Sequence, residues 1–156
     1  MVTETANTQS REPDASGRFS TFYVADLFFG IDVLRVQEVL RFQPMTRVPK
    51  SPHVIEGLMN LRGQIVTAID MRRLLHLPDR KGGTQPMNVV IRTDDGAVSL
   101  LVDEIGDVLS LENASYEPPP GNLQATARKL IRGVYKLDGK LLLVLDAERT
   151  VDIAVG

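Results

Sequence analysis

The sequence contains no cysteine and no tryptophan, and only two histidines among its 156 residues. Without cysteine there is no disulfide, no thiolate metal ligand and no cysteine nucleophile. A chain without thiols suits a reducing compartment, so we expect a cytoplasmic protein. The net charge is −2, and the basic residues are interspersed with acidic ones instead of forming the positive face that phosphate binding requires. Nucleic acid is therefore a poor candidate partner.

Long hydrophobic runs are also missing, and no apolar stretch approaches the ~20 residues that a membrane-spanning helix needs. Residues 1–17 are polar and acidic, and they lack the basic start and apolar centre of a signal peptide. We expect residues 1–17 to be a disordered tail and residues 18–156 to form a single domain. Any association with a membrane then has to come through a partner.

Catalytic motifs are scarce. His53 and His76 stand neither in an HExxH pair nor near a carboxylate cluster with metal-ligand spacing. Asp103, Glu104 and Asp107 have no feature that marks a general acid/base pair. The sequence therefore predicts a protein that is not an enzyme, with no catalytic residue, no cofactor and no metal.

What the sequence does contain is a succession of short apolar segments separated by turn residues. Residues 19–24 and 87–91 are rich in β-branched and aromatic side chains, which is typical of strands. Helical signals are short, and the clearest is residues 51–57, with serine as N-cap, proline in the first turn and glycine as stop. Asp70 and Asp146 each follow an apolar strand and are predicted to cap a second kind of short helix. Many short strands joined by turns favour a barrel or sandwich.

Comparison of the chain with itself reveals a repeat. A shift of 76 residues, without a gap, pairs Ile55 with Ile131, Gly57 with Gly133, Leu61 with Leu137, Gly63 with Gly139, Asp70 with Asp146 and Arg73 with Arg149. A shift of 69 residues pairs Ile31 with Leu100, Val33 with Val102, Val36 with Ile105, Glu38 with Asp107, Val39 with Val108 and Leu40 with Leu109. In each copy the glycines are assigned to turns and the aspartate to a helix cap. Turn chemistry alone does not account for so many matches in fixed register.

One small β unit used twice explains both alignments. Each unit alone buries too little apolar surface to fold well, so the two units should pack together and share a core. We therefore predict a mainly β fold of two five-stranded barrel subdomains side by side, with a few short helices. The subdomains are either intertwined or adjacent, with approximate cores at residues 30–80 and 85–150.

Arg62 is where the two copies diverge most. The first glycine turn reads Leu61-Arg62-Gly63, whereas the second has Asp138 in the arginine's place. The scaffold needs only the glycines and the apolar positions, so a difference inside it is a candidate for function. An arginine offers a planar fork of donors that could pair with Glu38. The alternative is a solvated charge on a turn, which contributes little.

Several segments together support a family resemblance that covers nearly the whole chain from Phe19 onward. They are residues 30–33, 36–39, 48–49, 55–63, 68–72, 101–103, 107–109, 118–120, 131–133 and 143–146. In these segments the chain resembles the CheW family, the coupling proteins of bacterial chemotaxis. The resemblance implies two SH3-like subdomains and a scaffold without catalytic activity.

The resemblance also implies partners. CheW-like proteins join methyl-accepting receptors to the histidine kinase CheA in a signalling array, and further CheW copies are additional candidate partners. In that family the receptor tip lies in the groove between the subdomains, and the regulatory domain of CheA packs against the subdomain ends. By position, the residues implied in receptor contact or groove support are Val36, Glu38, Leu58, Asn60, Arg62 and Gly133.

The first hairpin turn departs from the family pattern, because residues 25–29 are more apolar than the polar turn usual there. Leu27 and Phe28 either fold inward or form a contact peculiar to this protein. Two other functions stay open at this point. One is an adaptor of another chemosensory pathway, such as twitching or gene regulation, and the other is a small β-barrel that binds nucleic acid.

Overall fold

The structure is a computed structural model that describes residues 16–111 and 114–156. The predicted tail lies outside the described residues except for its last two positions. There the Ser16 N–H donates to the Asp32 carboxylate at 3.0 Å, and the Leu111 N–H donates to the Gly17 carbonyl at 2.9 Å. The folded domain therefore includes two residues that the sequence assigns to the tail.

Eleven strands and three short α-helices form the regular structure of the described residues, together with a 3-10 helix at Val33–Arg35. The strands are β1 (Arg18–Val24), β2 (Leu27–Asp32), β3 (Val36–Arg41), β4 (Ile55–Leu61), β5 (Gln64–Asp70), β6 (Met87–Thr93), β7 (Gly96–Val102), β8 (Glu104–Ser110), β9 (Ser115–Glu117), β10 (Ile131–Leu137) and β11 (Lys140–Leu145). The helices are α1 (Met71–Leu74), α2 (Ala125–Leu130) and α3 (Ala147–Val155). None of these three has the length and apolar character needed to cross a membrane. The predicted mainly β fold is confirmed.

The strands form two sheets, and each sheet takes strands from both copies of the repeat. The six-stranded sheet has the order β8-β1-β2-β11-β10-β9, and the five-stranded sheet has the order β3-β6-β7-β5-β4. The hairpin β1–β2 lies between β8 and β11 of the second copy, while the equivalent hairpin β6–β7 lies between β3 and β5 of the first. The two copies thus exchange hairpins. For this reason the sheets do not follow the boundaries 30–80 and 85–150, and β9 adds a sixth strand to one of them.

The later hairpins, β4–β5 and β10–β11, have the same register. In the first copy Ile55 pairs with Ile69, and Gly57 pairs with Ala68 after a bulge. In the second copy Ile131 pairs with Leu145, and Gly133 pairs with Val144 after the same bulge. Each of these residues is 76 positions from its counterpart, so the sequence repeat is also a structural repeat.

Both later hairpins run directly into a helix that begins at an aspartate. The Asp70 carboxylate accepts hydrogen bonds from the N–H groups of Arg72 and Arg73, and the Asp146 carboxylate accepts one from Arg149. These caps satisfy donors that the first turn of a helix leaves unpaired. Because α1 starts at its cap, Arg72 and Arg73 lie beside the end of β5.

The apolar core has three parts. The largest is shared by the two sheets and includes Phe22, Phe29, Ile69, Leu100 and Leu130 among its fully buried side chains. A second cluster lies within the six-stranded sheet and contains Phe19, Phe28, Leu111, Leu142 and Val144. A third lies within the five-stranded sheet and contains Met59, Leu61, Val66 and Val90. The shared part makes the two subdomains a single folding unit.

The helix predicted at residues 51–57 is wrong. A single turn forms there, in which the Ile55 N–H donates to the Pro52 carbonyl at 2.9 Å, and Ile55 then enters β4. Gly57 does not stop a helix, because a Cβ at this position would lie 2.7 Å from the Thr46 carbonyl oxygen. The glycine permits close approach of the chain between β3 and β4. Pairing with β5 across a two-residue turn overrides the local helical signal.

The apolar segment after β1 folds inward. Phe28 is only 6% exposed, and its ring centroid lies 4.7 Å from that of Tyr23. The Lys140 ammonium stands 4.2 Å from the centroid of the Phe28 ring and covers it from solvent. Leu27 packs against the shared core. Of the two alternatives for this turn, inward folding is the one observed.

Candidate functional site

An exposed ion pair joins the β4–β5 turn to β3. Arg62 stands in this turn, and its Nη2 donates to the carboxylate of Glu38. The Arg62 side chain is 69% exposed, whereas that of Glu38 is 24% exposed. An exposed pair of this kind contributes little to stability. A guanidinium has five N–H donors, so Arg62 has donors left for an acceptor on another molecule.

The backbone at Arg62 is unusual for an arginine. Its φ is +53°, and Gly63 follows with a φ of +88°. Two successive positive φ values are typical of the tight hairpin turn that prefers asparagine or glycine. Holding another L-residue in this region costs roughly 1 kcal/mol. The turn by itself therefore does not call for arginine, and the side chain is better explained by a contact.

Two further contacts hold this turn in place. The Asn60 side-chain oxygen accepts a hydrogen bond from the Gly63 N–H at 2.8 Å. The Gln37 amide on β3 donates to the Gln64 side-chain oxygen at 3.2 Å. Asn60 thus acts on the shape of the turn, and the glutamine pair gives β3 a second connection to it.

Leu58 and Val36 lie on the same two strands. Leu58 is half-buried in β4 and exchanges two backbone hydrogen bonds of 2.8 Å with Thr46. Val36 begins β3 and packs against the shared core. The five-stranded sheet therefore carries five of the six residues implied in partner binding.

Gly133 lies apart from these residues, in β10 of the six-stranded sheet. A Cβ at this position would lie 2.5 Å from the ring of Tyr116 and 2.8 Å from the Glu117 carbonyl oxygen. The glycine therefore makes room for β9 to pack over β10. Burial, with a smaller contribution from Tyr135, raises the pKa of Tyr116. Gly133 is itself buried, which suits groove support better than direct contact.

The equivalent turn of the second copy has no counterpart to the Arg62 ion pair. Asp138 occupies the arginine's position, and Asp107 occupies that of Glu38. Both are exposed, and two carboxylates cannot form an ion pair. The two turns therefore share their register and a glycine of positive φ, but only Arg62 has a positive φ before that glycine, and the turns present opposite charge.

A charge cluster that the sequence interpretation missed lies where α1 meets the loop between β7 and β8. Arg72 donates to both oxygens of Asp103, through Nε at 3.0 and 3.1 Å and through Nη2 at 2.8 Å. The Arg80 Nε donates to the same carboxylate at 2.9 Å. Asp103 also accepts the Ala25 N–H at 2.6 Å. One carboxylate thus connects a helix, a loop and the turn of the exchanged hairpin β1–β2.

The surroundings of Asp103 change its acidity. Burial by itself raises the pKa of this carboxyl group, but the hydrogen bonds from Arg72 and Ala25 and the charges of Arg72 and Arg80 outweigh it. The net result is a lowered pKa for Asp103. The hydrogen bond to Asp103 in turn raises the pKa of Arg72. Both groups are firmly charged, as expected of a structural pair.

A signal for this cluster was present in the sequence. Asp103 follows the last apolar residue of a buried strand, and Arg72 follows the helix cap Asp70 by two positions. What the pattern could not show is that the two come together, because they are separated by 31 residues.

The arrangement favours binding over proton transfer. The donors around Asp103 occupy both of its oxygens, and a carboxylate with a lowered pKa is a poor general base near neutral pH. Across residues 16–111 and 114–156, no group of three or more histidine, cysteine or acidic side chains is arranged to hold a metal ion. Exposed strands and turns offer ionic and apolar contacts.

Comparison with known proteins agrees with this geometry. A family model described as the CheW-like domain matches residues 18–154. The chemotaxis protein CheW of Bacillus subtilis is 30% identical over 131 residues, which cover 84% of this chain and 84% of that protein. The chemotaxis protein CheW of Klebsiella aerogenes is also 30% identical over 131 residues, which cover 84% of this chain and 79% of that protein.

The crystal structure of the scaffolding protein TtCheW from Thermoanaerobacter tengcongensis has the same fold of two SH3-like subdomains. It superimposes with a TM-score of 0.73 at 26% identity, covering 83% of this chain and 88% of that one. The model match alone spans most of the chain, and the relatives agree with it over most of their own length. The chain therefore belongs to the CheW-like domain family and has the role of a chemotaxis adaptor.

Proposed function

We propose that this protein is a non-catalytic cytoplasmic adaptor that couples methyl-accepting chemoreceptors to the histidine kinase CheA. It reaches the membrane-bound receptor array through these partners. The observation that carries the proposal is the Arg62 turn, where an exposed arginine is held at a φ of +53° and retains free donors. The second copy has Asp138 at this position, so the positive charge is present only at the turn of the five-stranded sheet.

The mechanism is geometric. The two subdomains share one core, so a partner held on the five-stranded sheet and a partner held on the six-stranded sheet keep a fixed relative position. A change in receptor conformation then alters kinase activity through contacts. Coupling free energies of roughly 1–3 kcal/mol are sufficient for regulation of this kind.

The residues divide into two roles under this proposal. Arg62 and Glu38 make polar contact with the receptor tip, and Leu58 and Val36 add apolar surface on the same strands. Asn60 acts indirectly, since it holds the turn that presents Arg62. Gly133 supports the other side of the groove by admitting Tyr116.

The test is a reconstitution of the full chain with a receptor cytoplasmic fragment and CheA, scored by kinase activity. Arg62→Glu places a second carboxylate beside Glu38 and reverses the exposed charge. It should lower receptor-dependent kinase activation roughly ten-fold, within the range of ordinary coupling energies, while circular dichroism shows an intact fold. Full activation with a folded R62E would contradict the proposal.

A matched control comes from the second copy. Asp138→Arg reverses the charge at the equivalent position, on an equally exposed turn. It should leave activation close to that of the unchanged protein. Arg62→Gly adds a third arm, because it keeps the positive φ and removes only the side chain. R62G should therefore lose activation without losing stability.

A further inference from the structure

The connection between β3 and β4 is distinct in charge from the rest of the chain. No acidic residue occurs between Glu38 and Glu56, whereas Arg41, Arg47, Lys50 and His53 all lie in this stretch. The whole protein has a net charge of −2. A segment with cations and no carboxylates is therefore a local region of positive potential on an otherwise slightly acidic molecule.

Arg47, Lys50 and His53 of this stretch line a concavity, which we name the loop pocket. It has a volume of about 370 Å³ and is lined by Arg47, Val48, Pro49, Lys50, Ser51, Pro52, His53, Ile55, Arg73 and Asp79. The structure gives the exposed side chains of Arg47, Lys50 and His53 no hydrogen bond or ion pair with any described residue. Two cations and one imidazole thus face solvent around the loop pocket.

Arg73 and Asp79, the other charged residues that line the loop pocket, have opposite charge. Arg73 forms ion pairs with Glu56 at 3.0 Å and with Asp70 at 3.7 Å, and it lies 4.0 Å from Asp79. Its guanidinium also donates to the His53 carbonyl at 3.3 Å, which connects two residues of the pocket lining. The unpaired charge of the pocket is therefore positive.

Lys50 is held in a conformation that lysine does not favour. The Ser51 N–H donates to the Val48 carbonyl at 3.2 Å, which closes a four-residue turn with Pro49 in second place. Lys50 is in third place with a φ of +64°. This is the pattern of a type II turn, in which the third residue is normally glycine. A lysine here costs roughly 1 kcal/mol relative to an unstrained residue, so a role for its side chain is the better explanation.

From these observations we infer that the loop pocket binds carboxylate side chains of an acidic segment on a partner protein. The cations of Arg47 and Lys50, with the imidazole of His53 as a further polar group, fit carboxylates spaced along a peptide. The walls formed by Val48, Pro49, Pro52 and Ile55 suit apolar side chains between them. The pocket is a binding site in addition to the residues of the proposed function.

A phosphate group fits the loop pocket less well. Phosphate sites in proteins are commonly built from converging backbone N–H groups. Pro49 and Pro52 have no N–H, and the Ser51 N–H is already bonded to Val48. A single-stranded nucleic acid fits poorly as well, because the pocket has no phenylalanine, tyrosine or tryptophan on which bases could stack.

The loop pocket lies at the opposite end of β4 from Arg62. The strand runs from Ile55, which lines the pocket, to Leu61, which precedes the arginine. At about 3.3 Å per residue the two sites are roughly 20 Å apart. Variants of one site should therefore leave the other intact, and failure of either proposal can be recognised separately.

The test is a titration of the isotope-labelled full chain with an oligoglutamate peptide at low ionic strength, followed by NMR. Shifts should concentrate at residues 47–53. Lys50→Gln and Arg47→Gln should each weaken binding roughly three-fold, the effect expected for loss of one exposed ion pair. Lys129→Gln removes an exposed lysine on α2 and should have no effect. Weakening by K129Q equal to that by K50Q overturns the proposal.

A second variant separates binding from folding. Lys50→Gly suits the positive φ and should give a melting temperature no lower than that of K50Q, while it binds the peptide as weakly as K50Q does. Tighter binding of inorganic phosphate, or of a short single-stranded oligonucleotide, than of the peptide overturns the assignment to an acidic protein segment. Undiminished peptide binding by K50G and R47Q also overturns it.

Discussion

Each exchanged hairpin is held at its turn by a junction, in which a carboxylate accepts a backbone N–H of the turn and pairs with an arginine. The helix at the junction has opposite charges in the two cases. At the first junction, Asp103 from the loop after β7 accepts the N–H of Ala25, in the turn of β1–β2, and pairs with Arg72 of α1. At the second, Glu148 of α3 accepts the N–H of Asp94, in the turn of β6–β7, at 3.0 Å. The helix contributes the arginine at one junction and the carboxylate at the other.

The second junction has fewer ion pairs and a more exposed carboxylate than the first. Glu148 pairs with Arg35 at 2.7 Å, and its side chain is 32% exposed, whereas that of Asp103 is 16% exposed. Asp103 receives a second arginine, Arg80, and Glu148 has no equivalent second ion pair in the described part of the chain. The carboxylate of the first junction is thus less exposed to solvent and forms more ion pairs.

The comparison shows what the fold requires at these places. Both hairpin turns need an acceptor for one backbone N–H, and the acceptor needs a cation because it is partly buried. Which element provides the cation is free to vary. Arg72 and Glu148 are equivalent in the repeat, with a separation of 76 residues, so the two copies satisfy one requirement with opposite charges.

The largest effect should follow from removing the carboxylate of the first junction. Asp103→Ala leaves Arg72, Arg80 and the Ala25 N–H without their acceptor. Loss of one partner from a buried pair costs about 3–5 kcal/mol, and partial exposure reduces this to about 2–3 kcal/mol of unfolding free energy. Urea unfolding followed by circular dichroism measures it. A loss no greater than that caused by Glu148→Ala would contradict the ranking of the junctions.

The pH dependence of stability should be concentrated at the same residue. The pKa of Asp103 is lower in the folded chain than its ordinary value of 3.8. Its stabilising contribution is therefore complete above that ordinary value and is lost as the pH falls through the lower, folded value. Urea unfolding between about pH 6 and pH 3 should show a shallower decline for Asp103→Asn than for the unchanged chain. An equal decline in both would contradict this assignment. Asp138→Asn, on an exposed turn, is the control.

A smaller loss is expected at the second junction. Glu148→Ala removes the Arg35 ion pair and the acceptor of the Asp94 N–H, and the Glu148 carboxylate is more exposed than that of Asp103. The free energy of unfolding should fall by about 1 kcal/mol. Hydrogen exchange should also accelerate at the β6–β7 turn and not at the β1–β2 turn. Equal acceleration at both turns would show that the junctions do not act locally.

The smallest expected effect is the dependence of the two junctions' stability contributions on salt concentration. Exposed ion pairs are screened more strongly than buried ones. Added salt should therefore reduce the difference in stability between E148A and the unchanged chain by a few tenths of a kcal/mol. The corresponding difference for D103A should stay nearly constant. The same urea experiment at low salt and at about 0.5 M salt decides this, and an equal salt effect on both variants would remove the distinction.

Local features of the fold were predictable from the sequence. The hairpins β4–β5 and β10–β11 and the caps at Asp70 and Asp146 depend on residues close together in the chain, and the repeat makes each visible twice. The helix predicted at residues 51–57 did not form, although the structure that replaces it, the hairpin β4–β5, is also local. Its Ser-Pro start is a real local signal, but pairing of Ile55 with Ile69 in β5 contributes more than one helical turn can.

The site was partly predictable. The Arg62–Glu38 pair was foreseen because the two copies could be compared position by position. The Asp103 cluster was not foreseen, since its members Arg72 and Arg80 come from the other copy and no periodicity connects them to it. The loop pocket was not predicted either. A charged side chain can be recognised as unpaired only when the residues around it in the folded chain are known.

The sequence by itself determined the β unit, its duplication, its turns and its caps, since these follow from short-range spacing of glycine, aspartate and apolar residues. Tertiary structure alone decided that the copies exchange hairpins. The parallel pairing of β5 with β7 and of β11 with β2 joins segments far apart in the chain, which no short-range pattern specifies. A choice between equivalent partners is made by the shared core and the two charge-reversed junctions, and these exist only once the chain is folded.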